Sequence, residues 1–432
     1  MRIKKYPQRS EWAEIVARPH LDNSQLQGVV AGILKEIAAE GDAAVKRYEA
    51  KFDHATLDSL AVSKQEMDEA DAMVSQELKS ALQLAHDNIQ KFHASQAFSA
   101  PRVATCDGVT CWQKAVAIEK VGLYIPGGTA PLFSTVLMLA TPAKIAGCRD
   151  IVLCTPPGPD GRVNPAILVA ARIAGVEQVY KCGGVQAIGA MAYGTETIPK
   201  VYKIFGPGNQ YVMAAKQQVS LHDVAIDMPA GPSEVCVVAD AASETAFVAA
   251  DLLSQAEHGR DSQVLLISDS EEKIEAVRAE VERQMAVLPR RDIAREAMDN
   301  SWFVLVHDLQ EAIDLANVYA PEHLILAVRN YEEMAEQVVN AGSVFLGSYA
   351  CESAGDYASG TNHTLPTHGY ALAYNGVNLD SFIRKITFQH LSPRGIRSIG
   401  PAVELMAENE QLQAHKNAMT LRRLKVESEG TE

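Results

Sequence analysis

Apolar and polar residues follow a repeating order between residues 116 and 220. A short apolar run, a glycine loop and a helix-length segment succeed one another, with the apolar runs at 121–125, 151–154, 179–180 and 201–205. The repeat is about 25 to 30 residues long, so each unit has room for one strand and one crossover helix. This order predicts a doubly wound sheet of parallel strands, in which ligands bind at the loops that follow the strands.

A second α/β run is predicted between residues 234 and 346. It begins with the apolar segment 234–239, and further strands are predicted at 264–267, 303–306, 324–327 and 343–346. Helix-length segments separate these strands. The predicted fold class is therefore α/β, with two tandem Rossmann-like, incompletely doubly wound domains. A helical N-terminal arm and a helical C-terminal tail complete the prediction.

The predicted domain boundaries follow these changes of pattern. They are 1–24 for the arm, 25–120 with 234–376 for a first α/β domain, 121–233 for a second α/β domain, and 377–432 for the tail. The tail is interpreted as purely helical, beginning with a helix over 379–387. Because its apolar face is too small for independent folding, we expect the tail to dock on its own body or on a partner subunit.

Composition and charge narrow the classes of function. The chain has 432 residues and a formal net charge of −15. This charge argues against a nucleic-acid partner, because binding to phosphates needs a basic face. No apolar run reaches about 18 residues, so we expect no membrane-spanning helix. The seven cysteines are scattered and contain no CxxC, which favours reduced thiols and a cytoplasmic protein.

The candidate chemistry centres on residues 247–261, FVAADLLSQAEHGRD. The spacing predicts a helix that ends near Gly259, with Gln255 and His258 on one face of its last turns. A carboxamide oxygen, an imidazole and a carboxylate suit a divalent ion such as zinc, and an open position would make the site catalytic. The residues alone leave a helix cap or a surface pair open as the alternative.

Three other segments can complete such a site. Glu322 and His323 follow a proline, so a turn of the backbone can bring a carboxylate and an imidazole together for proton transfer. Asp356 lies in a glycine-bounded loop, which suits a ligand held by irregular backbone. His415 lies on a predicted helix, five residues after Glu410. A surface or loop role remains the alternative for each of them.

The glycine loops of the first run are candidates for binding a pyrophosphate. Gly183-Gly184 and residues 206–209 both follow predicted strands and precede helices, where backbone N–H groups face an anion. Neither loop contains GxGxxG, so plain turn chemistry remains the alternative.

Taken together, these segments resemble the histidinol dehydrogenase family. The resemblance covers residues 33–424 and is carried by long blocks in order. These blocks include EGDAAVKRYEAKFD (40–53), GGVQAIGAMAYGTETIPKV (183–201), FGPGNQYV (205–212), DLLSQAEHGRDSQ (251–263), PEHL (321–324), ESAGDYASGTNHTLPT (352–367) and AHKNAMTLR (414–422).

The resemblance implies oxidation of L-histidinol to L-histidine by NAD, through a bound aldehyde, in a homodimer with one zinc per subunit. The implied zinc ligands are Gln255, His258, Asp356 and His415, the last reaching the site from the partner subunit. Glu322 and His323 are the implied acid/base pair. Ser233 and Glu410 join His323 and the zinc ligands as implied substrate contacts, and Tyr124, Gln186 and Asn209 are the implied NAD contacts.

The mechanism hypothesised from this resemblance divides the work between two residues. His323 takes the hydroxyl proton as hydride leaves for NAD, Glu322 activates water to attack the aldehyde, and His323 takes the proton of the hydrate as a second hydride leaves. Departures from the family pattern at Arg260, 348–351 and His368 bear on the shape of the pocket. The alternatives are a related zinc and NAD alcohol dehydrogenase for another polar alcohol, such as a sulfonated diol, and a zinc hydrolase.

Overall fold

The structure is a computed structural model that describes residues 1–18, 24–127, 131–229 and 231–429. The chain divides into two compact units. The first unit joins Met1–Gln96 to Ile118–Phe382, and the second joins Ala97–Ala117 to Ile383–Glu432. Parallel sheets with many helices confirm the predicted α/β class, and the C-terminal helices are present.

The strands of the described residues, in chain order, are β1 (Arg2–Lys5), β2 (Val103–Cys106), β3 (Val109–Ala117), β4 (Lys120–Tyr124), β5 (Asp150–Thr155), β6 (Gln178–Lys181), β7 (Lys203–Phe205), β8 (Ala225–Ile226), β9 (Glu234–Ala239), β10 (Gln263–Ser268), β11 (Trp302–Leu305), β12 (His323–Ala327), β13 (Ser343–Leu346) and β14 (Ile383–Leu391).

The α-helices of the described residues are α1 (Trp12–Ile15), α2 (Ser24–Glu40), α3 (Asp42–Phe52), α4 (Lys64–Met73), α5 (Gln76–Ala94), α6 (Phe133–Ala146), α7 (Pro165–Ile173), α8 (Gly184–Tyr193), α9 (Gln210–Ser220), α10 (Thr245–Ala256), α11 (Glu271–Met285), α12 (Arg291–Asp299), α13 (Leu309–Tyr319), α14 (Tyr331–Ala335), α15 (Glu352–Tyr357), α16 (Pro393–Asn409) and α17 (Gln413–Ser428). Short 3-10 helices lie at Arg9–Glu11, Tyr370–Leu372 and Leu379–Phe382.

The five-stranded sheet of the first unit has the order β6-β5-β4-β7-β8 and is parallel throughout. Both of its faces are buried: Val121 and Leu123 pack in one core, whereas Tyr124 and Val152 pack in the other. Strands covered on both faces are near-continuous apolar runs, as observed here. The order of connection reverses between β4 and β7, so the end of β4 borders a topological switch point.

The six-stranded sheet has the order β1-β11-β10-β9-β12-β13 and is also parallel throughout. Its register pairs His323 with Val235 and Ser343, and pairs Gln263 with Glu234. Val235 is the second residue of β9 and the others are the first residues of their strands, so all of them lie at the amino edge of the sheet. A helix between parallel strands returns from the carboxyl edge to the amino edge, so the last turn of α10 also approaches this amino edge.

The second unit is built on a three-stranded antiparallel sheet with the order β14-β3-β2. Strand β14 pairs with β3 along nine consecutive positions, from Ile383 opposite Ala117 to Leu391 opposite Val109. Helices α16 and α17 pack against each other in the same unit.

The prediction that residues 25–120 belong with 234–376 was wrong. Val30 and Ile37 of α2 share a core with Val152 and Ile188 of the five-stranded half, and α5 packs on α6 and α7. An amphipathic pattern specifies that a helix face is buried but not which sheet buries it. The N-terminal helices therefore form outer layers around the five-stranded sheet.

The purely helical interpretation of the tail was also wrong at its start. Residues 379–382 form a 3-10 helix, and 383–391 form β14 in place of the predicted helix over 379–387. The partner of β14 lies more than 260 residues earlier at β3, so no local pattern could reveal the pairing. The N-terminal arm likewise begins with β1, which pairs with β11. Among the described residues, no helix is both long and apolar enough to cross a membrane.

Candidate active site

Gln255 and His258 lie at the C-terminal end of α10. The N–H of His258 donates to the carbonyl oxygen of Gln255 at 3.2 Å and closes the turn that ends the helix. The Gln255 side chain is fully buried, and neither Oε1 nor Nε2 has a hydrogen-bond partner among the described residues. Because a buried carboxamide without partners is costly, these atoms fit a ligand that completes them.

Two carboxyl groups join His258 at this place. One ligand atom from each of His258, Glu352 and Asp356 lies within 4.8 Å of the other two. The Glu352 side chain is 1 % exposed, and both of its oxygens have no hydrogen-bond partner in the described ranges. An imidazole and carboxylates, with the adjacent carboxamide, form a donor set suited to a divalent cation.

Sequence reasoning missed Glu352. The segment was interpreted as a glycine-bounded loop, whereas the structure forms α15, in which Glu352 and Asp356 stand four residues apart. That spacing places two side chains on the same helix face. The i,i+4 spacing of two acids was therefore the signal available in the sequence.

His323 and Glu322 lie at the amino edge of β12. Nε2 of His323 is 3.4 Å from Oδ1 of Asp356, and Nδ1 is 3.8 Å from Oε2 of Glu322. The Glu322 carboxyl accepts the N–H of Glu234 at 3.0 Å, a bond between the first residue of β9 and the residue before β12. This bond fixes Glu322 beside the imidazole, although neither ring nitrogen of His323 has an aligned hydrogen bond among the described residues.

Burial and charge set the protonation of this pair. Burial raises the pKa of Glu322 to about 8. Burial alone would lower the pKa of His323, but the carboxyl groups of Glu352, Glu322 and Asp356 outweigh it and raise the pKa of His323 to about 10. A buried surplus of acids around one imidazole is the charge pattern that a divalent cation neutralises.

The pKa of His258 is shifted in the direction opposite to that of His323. Much of the residue is exposed to solvent, yet the protein atoms around its ring lower the pKa of His258 despite the nearby charge of Asp356. A neutral imidazole at neutral pH is the form that binds a metal ion.

His363 connects this cluster to the other half of the first unit. Its Nδ1 lies 2.9 Å from the carbonyl oxygen of Asp356, and its Nε2 lies 3.0 Å from the hydroxyl oxygen of Thr135 on α6. Ser233 lies just before β9, where its carbonyl oxygen accepts the N–H of Gln263. Through His363, the cluster of His323 and Asp356 borders α6, the helix that follows β4.

The predicted NAD contacts lie at the carboxyl edge of the five-stranded sheet. Tyr124 ends β4, and its hydroxyl accepts the N–H of Gly184 at 3.2 Å. Asn209 caps α9 by accepting the N–H groups of Tyr211 and Val212 at 3.0 and 3.1 Å. Capped helix N-termini and glycine turns at this edge present the donors and the positive dipole end that favour a pyrophosphate.

His415 and Glu410 belong to the second unit. Glu410 is the C-cap residue of α16, His415 lies in the first turn of α17, and both are exposed. Together with Leu391 and Pro393, His415 lines a cavity of about 800 Å³ within that unit.

The comparisons with known proteins identify a single family over most of the chain. The family profile described as histidinol dehydrogenase matches residues 16–423. A protein of Bacteroides thetaiotaomicron named histidinol dehydrogenase is 64% identical over 422 residues, which cover 98% of this chain and 99% of that protein. The chain belongs to the histidinol dehydrogenase family.

Other members of the histidinol dehydrogenase family agree with this. A Xanthomonas campestris protein of that name is 53% identical over 400 residues, covering 92% of this chain and 93% of its own length. The crystal structure of histidinol dehydrogenase from Elizabethkingia anophelis matches with a TM-score of 0.97 and 53% identity, covering 99% of both chains. Membership confirms the predicted family and the prediction of an oxidoreductase.

Two of the departures from the histidinol dehydrogenase pattern now have a structural description. Arg260 forms an exposed ion pair with Glu296 of α12. The N–H of His368 donates to the buried carboxyl of Glu234, whose own N–H is bonded to Glu322. Arg260 thus contacts the surface of α12, whereas His368 is linked to Glu322 through a single residue.

Proposed function

We propose that this chain oxidises L-histidinol to L-histidine with NAD, through a bound aldehyde, in a zinc-containing homodimer of the cytoplasm. Family membership and the names of close relatives support the substrate. The observation that carries the proposal is the fully buried Gln255 carboxamide, without partners in the described residues, beside the cluster of His258, Glu352 and Asp356. All seven cysteines are free thiols, which supports a reducing compartment.

The donor set fits the proposed zinc. Gln255, His258 and Asp356 offer an oxygen, a nitrogen and a carboxylate from two helix ends, and Oδ1 of Asp356 has no aligned hydrogen bond among the described residues. His415 of the partner subunit would be the fourth ligand, and a coordination position would remain for substrate. When bound, zinc supplies a positive charge that orients the amino alcohol and stabilises the deprotonated hydroxyl.

His323 would be the base in both oxidations. In the first, the hydroxyl proton passes to His323 while the carbinol carbon loses hydride to NAD, which leaves the aldehyde and NADH. In the second, the hydrate gives His323 a proton and gives a second NAD its hydride, which leaves the carboxylic acid. A cation bound to Asp356 would offset the negative charge of this carboxylate. The pKa of His323 would then be lower, which favours the neutral imidazole that a base needs.

Glu322 would act between these two steps. Its carboxyl is held by the N–H of Glu234 and would take a proton from the water that adds to the aldehyde, while protonated His323 returns its proton to the aldehyde oxygen and is again a free base for the second oxidation. The substrate would also contact Ser233, which precedes β9, and Glu410 of the partner subunit. The carboxylate of Glu410 would bind the amine of the substrate. A site completed by the second subunit explains why α16 and α17 leave Leu405, Met406 and Leu421 exposed.

The test is NADH formation by purified protein with histidinol and NAD, with and without zinc. We expect two NADH for each histidinol consumed, loss of activity with a chelator, and recovery on adding zinc. A substrate panel that includes a sulfonated diol and ester substrates separates the alternatives. Preferred oxidation of the diol, or hydrolysis without NADH, would reject histidinol oxidation as the function.

A further inference from the structure

Glu49 is a buried carboxyl group that the proposed chemistry does not use. It lies on α3 with its side chain 0 % exposed, and it belongs to none of the ion pairs found among the described residues. Burial raises the pKa of Glu49, and the neighbouring Asp53 adds to this. An acid buried without a cation is costly, so its contacts ask for an explanation.

Two hydrogen bonds of Glu49 lead to the glycine turn after β6. Oε1 of Glu49 accepts the N–H of Gly183 at 2.9 Å and the Nε2–H of Gln186 at 2.9 Å. The next N–H of the turn, at Gly184, donates to the Tyr124 hydroxyl. Glu49 is therefore hydrogen-bonded directly to Gln186 and is linked through the turn to Tyr124. Gln186 and Tyr124 are both proposed to contact NAD.

The bond from Gln186 fixes the direction of its carboxamide. Oε1 of Glu49 already accepts the Gly183 N–H, so it is an acceptor that Nε2 of Gln186 faces, and Oε1 of Gln186 faces away from it. Gln186 is 1 % exposed, and its Oε1 has no hydrogen-bond partner within the described residues. A buried acceptor held in one orientation lacks a donor, and the ribose hydroxyls and amide N–H groups of a dinucleotide are such donors.

The turn itself has little freedom to adapt without this bond. Gly184 has φ +53, and a Cβ there would lie 3.1 Å from Oε1 of Gln186. A Cβ on Gly183 would lie 2.6 Å from Cβ of Pro156. The backbone of the turn is thus packed closely between Pro156, in the loop after β5, and the Gln186 side chain. Glu49 is the acceptor for the N–H of Gly183.

We propose that Glu49 is a positioning residue of the dinucleotide site, which holds the Gly183-Gly184 turn and orients Gln186 so that its oxygen receives a donor of NAD. This inference rests on the proposed cofactor. Glu49 touches neither the substrate nor the reacting carbon, so it acts on affinity for NAD and not on the chemical steps.

The experiment measures the Kd for NADH by fluorescence and the steady-state constants for both substrates. Glu49→Leu leaves two buried donors unpaired, and we expect the Kd for NADH and the KM for NAD to rise about tenfold, with kcat at saturating NAD within about twofold of wild type. Glu49→Gln keeps an acceptor oxygen in place and should remain within about threefold of wild type.

Two further variants keep the test decisive. If Glu49→Leu does not fold, Glu49→Asp, which withdraws the carboxyl by one methylene, should show the same selective loss of NADH affinity. Arg47 lies on the same helix as Glu49 and forms exposed ion pairs with Glu36 and Glu40 of α2. Arg47→Gln, which breaks these pairs, is the matched control and should bind NADH as wild type does. In a double-mutant cycle, Glu49→Leu should add less to Gln186→Leu than it does to wild type.

Several results would overturn the proposal. They are wild-type NADH affinity in folded Glu49→Leu or Glu49→Asp, a fall in kcat with an unchanged Kd, additive losses in the cycle, or Glu49→Gln as weak as Glu49→Leu. Wild-type protein that binds no NADH would instead reject the proposed cofactor before any variant is compared.

Discussion

The two parallel sheets of the first unit present opposite edges to their proposed ligands. In the five-stranded sheet, Tyr124, Gln186 and Asn209 lie at the carboxyl edge, where strands end and helices begin. In the six-stranded sheet, His323 and the last turn of α10 lie at the amino edge, where helices end and strands begin. One edge gathers glycine turns and helix N-termini, whereas the other gathers acids and imidazoles.

The difference follows from the helix dipole. Helix N-termini carry partial positive charge and free N–H groups, which suit the pyrophosphate of a dinucleotide. Helix C-termini carry partial negative charge, which suits a cation, and α10 ends at Ala256, between Gln255 and His258. The usual rule that α/β sheets bind ligands at the carboxyl edge therefore fits the half that is proposed to bind NAD, whereas the proposed cation would favour the other edge.

The largest expected effect is at the amino edge and separates the two oxidations. Glu322→Gln keeps an oxygen that can accept the N–H of Glu234 but removes the base. We expect aldehyde oxidation to fall about a thousandfold, within the range of general-base catalysis, while alcohol oxidation is spared. Half-reaction assays that start from histidinol and from histidinaldehyde measure the two steps.

An equal loss of both steps in Glu322→Gln would contradict the division of work between Glu322 and His323. The matched control is Glu311→Gln, which changes an exposed pair with His307 and should leave both steps unchanged.

The next effect concerns the cation. Asp356→Asn removes a carboxylate from the group within 4.8 Å of His258 and Glu352. Because changes outside the ligand shell already cost 10- to 100-fold in metal affinity, we expect a loss of at least about a hundredfold in zinc affinity and in activity at low zinc. Zinc content after dialysis, with NADH formation, measures both.

Glu257→Gln, one residue before His258, is the control for Asp356→Asn. Full zinc retention by Asp356→Asn would place the cation elsewhere, and so would equal loss in both variants.

A smaller effect tests the excess of buried acid near the amino edge. Burial raises the pKa of Asp251 on α10 to about 7, so folding favours its protonated form. The contribution of protonated Asp251 to the stability of the folded state is complete below about pH 4, the pKa of this group in the unfolded chain. This contribution is lost as the pH rises through about 7. At pH 8, Asp251→Asn should therefore exceed wild type in the free energy of unfolding by about 1–2 kcal/mol, because partial solvation reduces the full linkage value.

Urea unfolding between pH 4 and pH 8 measures this difference, with exposed Asp292→Asn as the control. A constant difference between Asp251→Asn and wild type across that range would show that Asp251 is not a raised acid.

The smallest effect returns to the carboxyl edge. Asn209→Ala removes the cap of α9 and should cost about 1 kcal/mol in the free energy of unfolding, with about a fivefold weaker Kd for NADH and unchanged kcat. Ser75→Ala removes the cap of α5, where Ser75 accepts the N–H of Leu78, and should match the stability loss only. Equal NADH binding by both variants would remove Asn209 from the cofactor site.

The sequence predicted local elements well, since strand and helix periodicities are local. The apolar runs at 121–125 and 234–239 became β4 and β9. The helix that was predicted within 247–261 to end near Gly259 became α10, which ends at Ala256, next to Gln255. The partners of the N-terminal helices and of β14 were not predictable in this way, because they depend on contacts between distant segments.

The candidate site shows the same division. Gln255 and His258 were predictable from helical spacing, and Asp356 was identified by its motif. Glu352 was missed because α15 is short and contains a glycine, which concealed its helical spacing. The role of Glu49 was equally hidden, since its partners at Gly183 and Gln186 lie more than 130 residues away.

The most direct test of the contrast between the two edges is a crystal structure of the protein with zinc and NADH, with anomalous scattering recorded at the zinc edge. The account predicts a single zinc peak about 2.0–2.2 Å from donor atoms of Gln255, His258 and Asp356, with NADH at the ends of β4, β6 and β7. A zinc peak away from the end of α10, or a dinucleotide on the six-stranded sheet, would contradict it.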